Sequence, residues 1–224
     1  MRRHLTLTTK CRSKMIVRND FDQGTDEWLA YRRCGIGSSD CPVIMGVSPY
    51  MTLSELYQDK KGTLVKDNKS DFVLRLGHEF EIKARARFEL DTGLEVEPLN
   101  VEHAKEPWLR ASLDACSLEQ KTFAEIKYMG QKNFDLVKSG QVLEHHVPQI
   151  QHQFMVTGFA NGYYVVYTLS EDKKAIQEYF CLEVKPDHDY IINKLYPALK
   201  DFWQMVTSSI APLEIPKVRK KRSK

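Results

Sequence analysis

Between residues 71 and 92 the apolar positions repeat with a helical period. Val73, Leu76, Phe80, Ala84 and Phe88 fall three or four apart, which stacks them on one face of an α-helix. The pattern predicts a long helix from about Asp71 to Thr92, stopped by Gly93, because glycine readily takes the left-handed conformation that ends a helix. Glu81 follows Phe80 and so lies about 100° round, at the edge of the buried stripe. Shorter helices are expected from about Thr25 to Arg33, after the glycine turn and serines of "GIGSSDCPVIMG", and from the capping box "TLSE" at 52–55 to near Gly62. Further helices are expected near 131–139, from about Pro148 to Gly158 and from about Pro186 to Val206. Strand-like runs are "LEVEPLNVEH", "LRASLDACSL", "TFAEIKYM", "GYYVVYTL" and "AIQEYFCLEV". Helices, then a strand meander, then a helix, more strands and a last helix predict an α/β fold with a central mixed sheet flanked by helices.

Length and charge divide the chain. Its 224 residues suit one domain with a full core, expected over residues 19–208. The net charge of +3 conceals an asymmetry. Residues 1–18 and "KVRKKRSK" at 217–224 each hold six Lys or Arg and no acid, so the middle carries 21 basic groups against 30 acids. Residues 1–18 and 209–224 are therefore read as basic, flexible tails, of the kind that touch nucleic acid or only solubilise. A DNA-binding acidic body needs its carboxylates neutralised by metal, or its positive charge gathered in one groove. No apolar run approaches the ~20 residues of a membrane span, and the N-terminus lacks a secretory core. Five widely spaced cysteines with no C-x-x-C pair argue for reduced thiols. A cytoplasmic protein with no membrane partner is the expectation.

The candidate chemistry lies on two strands. In "TFAEIKYM" Glu125 and Lys127 share one face, and Ala124, Ile126 and Tyr128 the other. A solvated face with a weak ion pair is the plain alternative. In "LRASLDACSL" strict alternation puts Asp114 with Arg110, Ser112 and Cys116, opposite Leu109, Leu113 and Ala115. If the two strands pair as a hairpin, Asp114 comes beside Glu125 and Lys127, and Glu81 approaches from the long helix. Hard carboxylate oxygens and a lysine are what a Mg²⁺-dependent phosphodiesterase needs. The order Asp, ten residues, Glu-x-Lys is the D…ExK signature of restriction-endonuclease-like nucleases, although short matches to it also arise by chance. "HHVPQIQH" is not expected to form a histidine metal site, because Pro148 interrupts its spacing.

Four segments in order resemble the lambda exonuclease family, the YqaJ-like viral recombinases, from about Trp28 to Thr168. "WLAYRRCGIGSSD" carries Arg32, Ile36, Ser39 and Asp40 on one family motif; "LRLGHEFE" carries Gly77 and Glu81 on a second. "RASLDACSLEQKTFAEIKY" gives Asp114, Glu125 and Lys127, and "HVPQIQHQFMVTG" gives the pair Gln149 and Gln151. Leu113 and Ala115 depart from the Pro and Gly that relatives often have, which concerns the turn and not the ligands. The resemblance implies a restriction-endonuclease-like core and a 5′→3′ exonuclease on linear double-stranded DNA. Such an enzyme releases 5′-mononucleotides and leaves a 3′ single-stranded tail for phage-type recombination. One or two Mg²⁺ ions, with Mn²⁺ as a substitute, would be held by Glu81, Asp114, Glu125 and the Ile126 carbonyl. Lys127 would position or deprotonate the attacking water, its pKa depressed by the metal, and Gln151 would face the site. Arg32, Ser39 and Ser38 would hold the 5′-phosphate, and Leu74 would be a wedge at the duplex end. The resemblance further implies a ring-shaped homotrimer, a single-strand annealing partner and a phage or prophage origin in a bacterial cytoplasm. Two other classes stay open: a DNA endonuclease on the same fold, and a non-catalytic DNA-end or protein-binding module.

Overall fold

A computed structural model describes residues 15–18, 25–64 and 71–212, with side chains omitted for 71–78. The strands are β1 Met15–Arg18, β2 Ile36–Gly37, β3 Glu97–His103, β4 Leu109–Ser117, β5 Thr122–Tyr128, β6 Gly162–Leu169 and β7 Ile176–Val184. They form one mixed sheet in the order β1-β3-β4-β5-β6-β7, with β2 beside β4. Pairing is antiparallel except for β2–β4 and β5–β6, which are parallel. The helices are α1 Asp26–Arg33, α2 Cys41–Ile44, α3 Leu53–Lys60, α4 Asp71–Thr92, α5 Gln131–Lys138, α6 Val147–Thr157, α7 His188–Tyr190 and α8 Tyr196–Ser208. A π-helical stretch, Ile191–Leu195, joins the last two.

Local chemistry sets the helix ends. Thr25 caps α1 by accepting from Trp28 N–H. Thr52 and Glu55 close a reciprocal capping box on α3. Gly93 and Gly158 stop α4 and α6 at φ +70° and +69°. Gly35 is needed for a different reason: a Cβ there would meet the Trp108 carbonyl oxygen at 2.5 Å, so only glycine lets β2 enter beside β4.

The sheet separates two apolar clusters. Phe80, Ala84 and Phe88 of α4 pack with Ala115, Ala124, Ile126, Val165 and Tyr167. The larger cluster joins Leu99, Val101, Leu113, Phe123, Tyr164 and Val166 of the sheet to Ile150, Phe154, Leu195 and Phe202 from the helical side. Charge alone had assigned residues 1–18 to a tail, but Met15–Arg18 pairs with His103–Asn100 as a strand. Apolar Met15 and Val17 alternate there, and Met15 reaches the core. The rest of that segment, and 213–224, lie outside the described residues. Among the described residues no helix is long and apolar enough to cross a membrane.

Candidate active site

Strands β4 and β5 part where the acids stand. Their ladder joins Ser117–Thr122, Cys116–Phe123 and Ala115–Ala124. Beyond it the Ile126 amide donates to Asp114 Oδ2 at 2.9 Å. Along the other edge of β4, Glu97 pairs with Cys116 but Leu99 with Leu113. Three steps on β4 thus span two on β3, a bulge at Asp114–Ala115 opposite Pro98, which has no N–H to give the ladder. The bulge corrects the expected alternation. Leu113 and Cys116 enter the same apolar cluster, and Ala115 the other.

Charged groups converge at this splay. Glu125 is completely buried. Its Oε1 lies 2.5 Å from Lys127 Nζ and accepts from Gln149 Nε2 at 2.5 Å, while Oε2 accepts from Gln153 Nε2. On the α4 side, Arg85 donates to the Asp114 carbonyl at 2.8 Å and stands 3.9 Å from Glu81. Among the described side chains, Glu81, Asp114 and Glu125 therefore gather around Lys127 and Arg85. Burial, then Glu125 and Glu81, push the Asp114 carboxyl well above the usual carboxylate range, against the pull of Lys127. Burial alone would lower Lys127, but Glu125, Asp114 and Glu81 outweigh it and hold the ammonium above its ordinary value. A depressed Lys127 therefore requires additional positive charge beside it.

The donor set suits a hard divalent cation: three carboxylates gathered together, with Ile126 where the strands diverge. Among the described residues, no three His, Cys, Asp or Glu side chains stand ready as a closed cage. Lys127 and the two glutamines occupy the Glu125 oxygens, so a cation there would replace one of these partners. The three histidines of "HHVPQIQH" do not converge. His146 Nδ1 pairs with Tyr164 Oη at 2.5 Å, and His152 Nδ1 with Ser38 Oγ at 2.9 Å. Burial lowers both imidazoles to about 3, which leaves them neutral.

A second charged cluster surrounds Arg32. Its Nη2 donates to Ser39 Oγ at 2.6 Å and lies 3.6 Å from Asp40 Oδ1. The guanidinium sits over Trp28, 4.7 Å from the ring centre. Asp40 Oδ2 accepts from Gly37 N–H at 2.7 Å and pairs with Lys60 Nζ at 2.5 Å. Ser39 is exposed, whereas Ser38 and Asp40 are buried.

The YqaJ-like viral recombinase domain matches residues 27–160, a span that contains both clusters. The chain belongs to this family. Uncharacterized protein YqaJ of Bacillus subtilis (strain 168) is 26% identical over 199 residues, covering 87% of this chain. The chain spans 60% of the length of that relative. In fold it resembles an alkaline exonuclease (LHK-Exo) from Laribacter hongkongensis, with a TM-score of 0.66, 24% identity, and 83% of this chain and 94% of that one covered. A phage related exonuclease from Haemophilus somnus 129PT gives 0.52 at 15% identity, covering 78% and 96%. These likenesses show a shared fold, a central mixed sheet flanked by helices, which is consistent with a restriction-endonuclease-like core.

Within this YqaJ-like domain the structure brings together Glu81, Asp114, Glu125 and Lys127, and separately Arg32 and Ser39. It turns two expected residues away. Gln151 donates to the Lys185 carbonyl at 3.0 Å and accepts from Asp187 N–H at 2.7 Å. Residues 149 and 153 are one helical turn apart and share a face of α6, whereas 151 lies about 200° from 149. Gln149 and Gln153, not Gln151, therefore meet Glu125. Ser38 points inward to His152 and not outward beside Ser39. Leu74 falls where side chains are not described. Sequence reasoning passed over Gln153, Lys60 and Arg85, and considered His152 only as part of "HHVPQIQH". The i, i+4 spacing of Gln149 and Gln153 was the one available signal among them.

Proposed function

We propose that this chain is a Mg²⁺-dependent exonuclease that degrades one strand of linear double-stranded DNA from the 5′ end. It releases 5′-mononucleotides and leaves a 3′ single-stranded tail for recombination. The observation that carries this reading is the convergence of three carboxylates, Glu81, Asp114 and Glu125, on one lysine at the divergence of β4 and β5. Membership of a viral recombinase family supports it, as does the likeness to an exonuclease that has been crystallised with dAMP, a mononucleotide. In this reading Glu81, Asp114, Glu125 and the Ile126 carbonyl hold one or two Mg²⁺ ions. Bound there, Mg²⁺ would supply an activated water and neutralise charge on the scissile phosphate.

The chain's own groups do the rest. Lys127, with 28% of its side chain exposed, reaches from buried Glu125 toward solvent and holds the attacking water or accepts its proton. Gln149 and Gln153 orient Glu125. The exposed Arg32–Ser39 pair receives the 5′-phosphate through a charge-assisted bond. A ring-shaped trimer, an annealing partner and the bacterial cytoplasm complete the proposal.

The test is a linear duplex, 5′-phosphorylated on one strand and labelled at that strand's 3′ end, with Mg²⁺ and beside a closed circle. Late loss of the label and an untouched circle are expected. Lys127→Ala should cut the rate by about 10²- to 10⁴-fold while DNA binding persists. A nicked circle would make the protein an endonuclease, and an inert wild type would make it a binding module.

A further inference from the structure

We propose that Lys60 is a positioning residue that keeps Arg32 available to a terminal phosphate, and so sets the preference for 5′-phosphorylated over 5′-hydroxyl ends. The inference rests on the reading of Arg32 and Ser39 as the phosphate-holding pair. Lys60 is the last residue of α3, and its side chain is only 1% exposed. Its ammonium makes two strong contacts: 2.5 Å to Asp40 Oδ2, and 2.9 Å to the backbone carbonyl of Arg32. One side chain thus ties the end of α1, the Gly37–Asp40 turn and the end of α3 together.

The distances imply a division of labour. Asp40 is buried, and a buried carboxylate must be paired. It has two cationic neighbours at unequal range, Lys60 at 2.5 Å and Arg32 at 3.6 Å. Lys60 is the committed partner. Arg32 keeps its Nη2 on exposed Ser39, with 32% of its side chain accessible and Trp28 beneath it. Burial pushes the Asp40 carboxyl up, but Lys60 and then Arg32 outweigh it and hold it below the usual range, so the carboxylate stays charged. Without Lys60 the nearest cation able to neutralise it is Arg32, whose guanidinium would drop onto Asp40 and leave Ser39. From the other side His152 fixes Ser38, so the turn has little freedom to compensate. Among the described side chains two positive groups face one carboxylate, and Lys60 ensures that the surplus resides on Arg32.

The experiment compares binding of duplexes with a 5′-phosphate or a 5′-hydroxyl, by fluorescence anisotropy in EDTA, and then initiation rates with Mg²⁺. Lys60→Met is expected to lower the phosphate-to-hydroxyl ratio by about tenfold, the scale of one charge-assisted hydrogen bond. Lys60→Arg should keep the ratio. The decisive variant is Lys60→Met with Asp40→Asn. Once Asp40 is neutral it no longer captures Arg32, and the ratio should return to within about threefold of wild type. A residue that only braces the fold predicts no such rescue. If Lys60→Met alone does not fold, the double variant and Lys60→Arg still decide, since loss of the ratio in either overturns the proposal. If Arg32→Ala lowers the ratio and Lys60→Met does not, the role of Lys60 is refuted and the phosphate pocket stands. If Arg32→Ala leaves the ratio unchanged, the pocket reading itself fails.

Discussion

The two charged clusters look alike at first. Each has a lysine 2.5 Å from a buried carboxylate, Lys127 on Glu125 and Lys60 on Asp40. Each is braced by α6, through Gln149 and Gln153 on the first and His152 on the second. Their charge counts are opposite. Around Lys127 the described side chains set three carboxylates against two cations, and Asp114 is driven toward its neutral form. Around Lys60 one carboxylate faces two cations and is held ionised. On the proposed reading the first arrangement takes up a cation, and the second offers its charge to an anion. A short buried ion pair by itself says little about function. The surplus around it is informative.

Neutralising one acid in each cluster should break the resemblance most sharply. Asp114→Asn is expected to reduce cleavage by about 10²-fold or more and yet raise the unfolding temperature in EDTA, because a repelling charge is removed while an amide oxygen can still accept from Ile126. Added Mg²⁺ should raise the melting temperature of the wild type and have little effect on this variant. Asp40→Asn should instead cost stability, up to about 3–5 kcal/mol if the pair is fully broken, as read by urea titration. Equal losses in both variants would erase the distinction.

Titration of the metal-free protein sharpens the contrast. The folded pKa of Asp114 is raised, so its protonated form favours folding. That stability is complete below the unfolded value of about 3.9 and is lost as pH rises through the folded value. The folded pKa of Asp40 is lowered, so its contribution is present above about 3.9 and disappears as pH falls through the folded value. Urea midpoints from pH 3 to 8 should show both slopes. Asp114→Asn should remove the decline on the alkaline side, and Asp40→Asn the one on the acid side. The smallest effect separates neighbours on α6. Gln153→Ala should slow cleavage by about tenfold, through loss of a hydrogen bond to a charged acceptor. Gln151→Ala should change the rate by less than about threefold and lower stability by about 1 kcal/mol.

Much of this was legible because it depends on period and punctuation. Asp71–Thr92 was bounded by its stripe and Gly93, and α3 by Thr52 and Glu55. Glu125 and Lys127 stand two apart on a strand, so their shared face followed from the pleat. Asp114 was less secure. A bulge adds one residue to a strand without changing its composition, so the reversal of faces at Asp114–Ala115 is invisible in "LRASLDACSL". Pro98, which the bulge accommodates, is on another strand. Gln151 was misplaced because a Q-x-Q spacing names two residues that a helix points in different directions. Lys60 reads in sequence as an ordinary lysine near a helix end, and its burial depends on Asp40 across a turn. Met15–Arg18 was hidden by the charge of the residues before it.

The parallel pairing of β5 with β6 has a consequence for how the chain acquires this site. Residues 129–161, which include α5 and α6, must cross over before those strands can pair, and closing such a loop costs entropy before any contact repays it. The hairpin of β4 and β5 has no such delay. Gln149 and Gln153, which cover Glu125, arrive only with that crossover. During refolding β5 should therefore form early with the Glu125 carboxylate still open to water. Hydrogen-exchange protection should appear at Ala115 and Ala124, which pair across the hairpin, before it appears at the amides of β6.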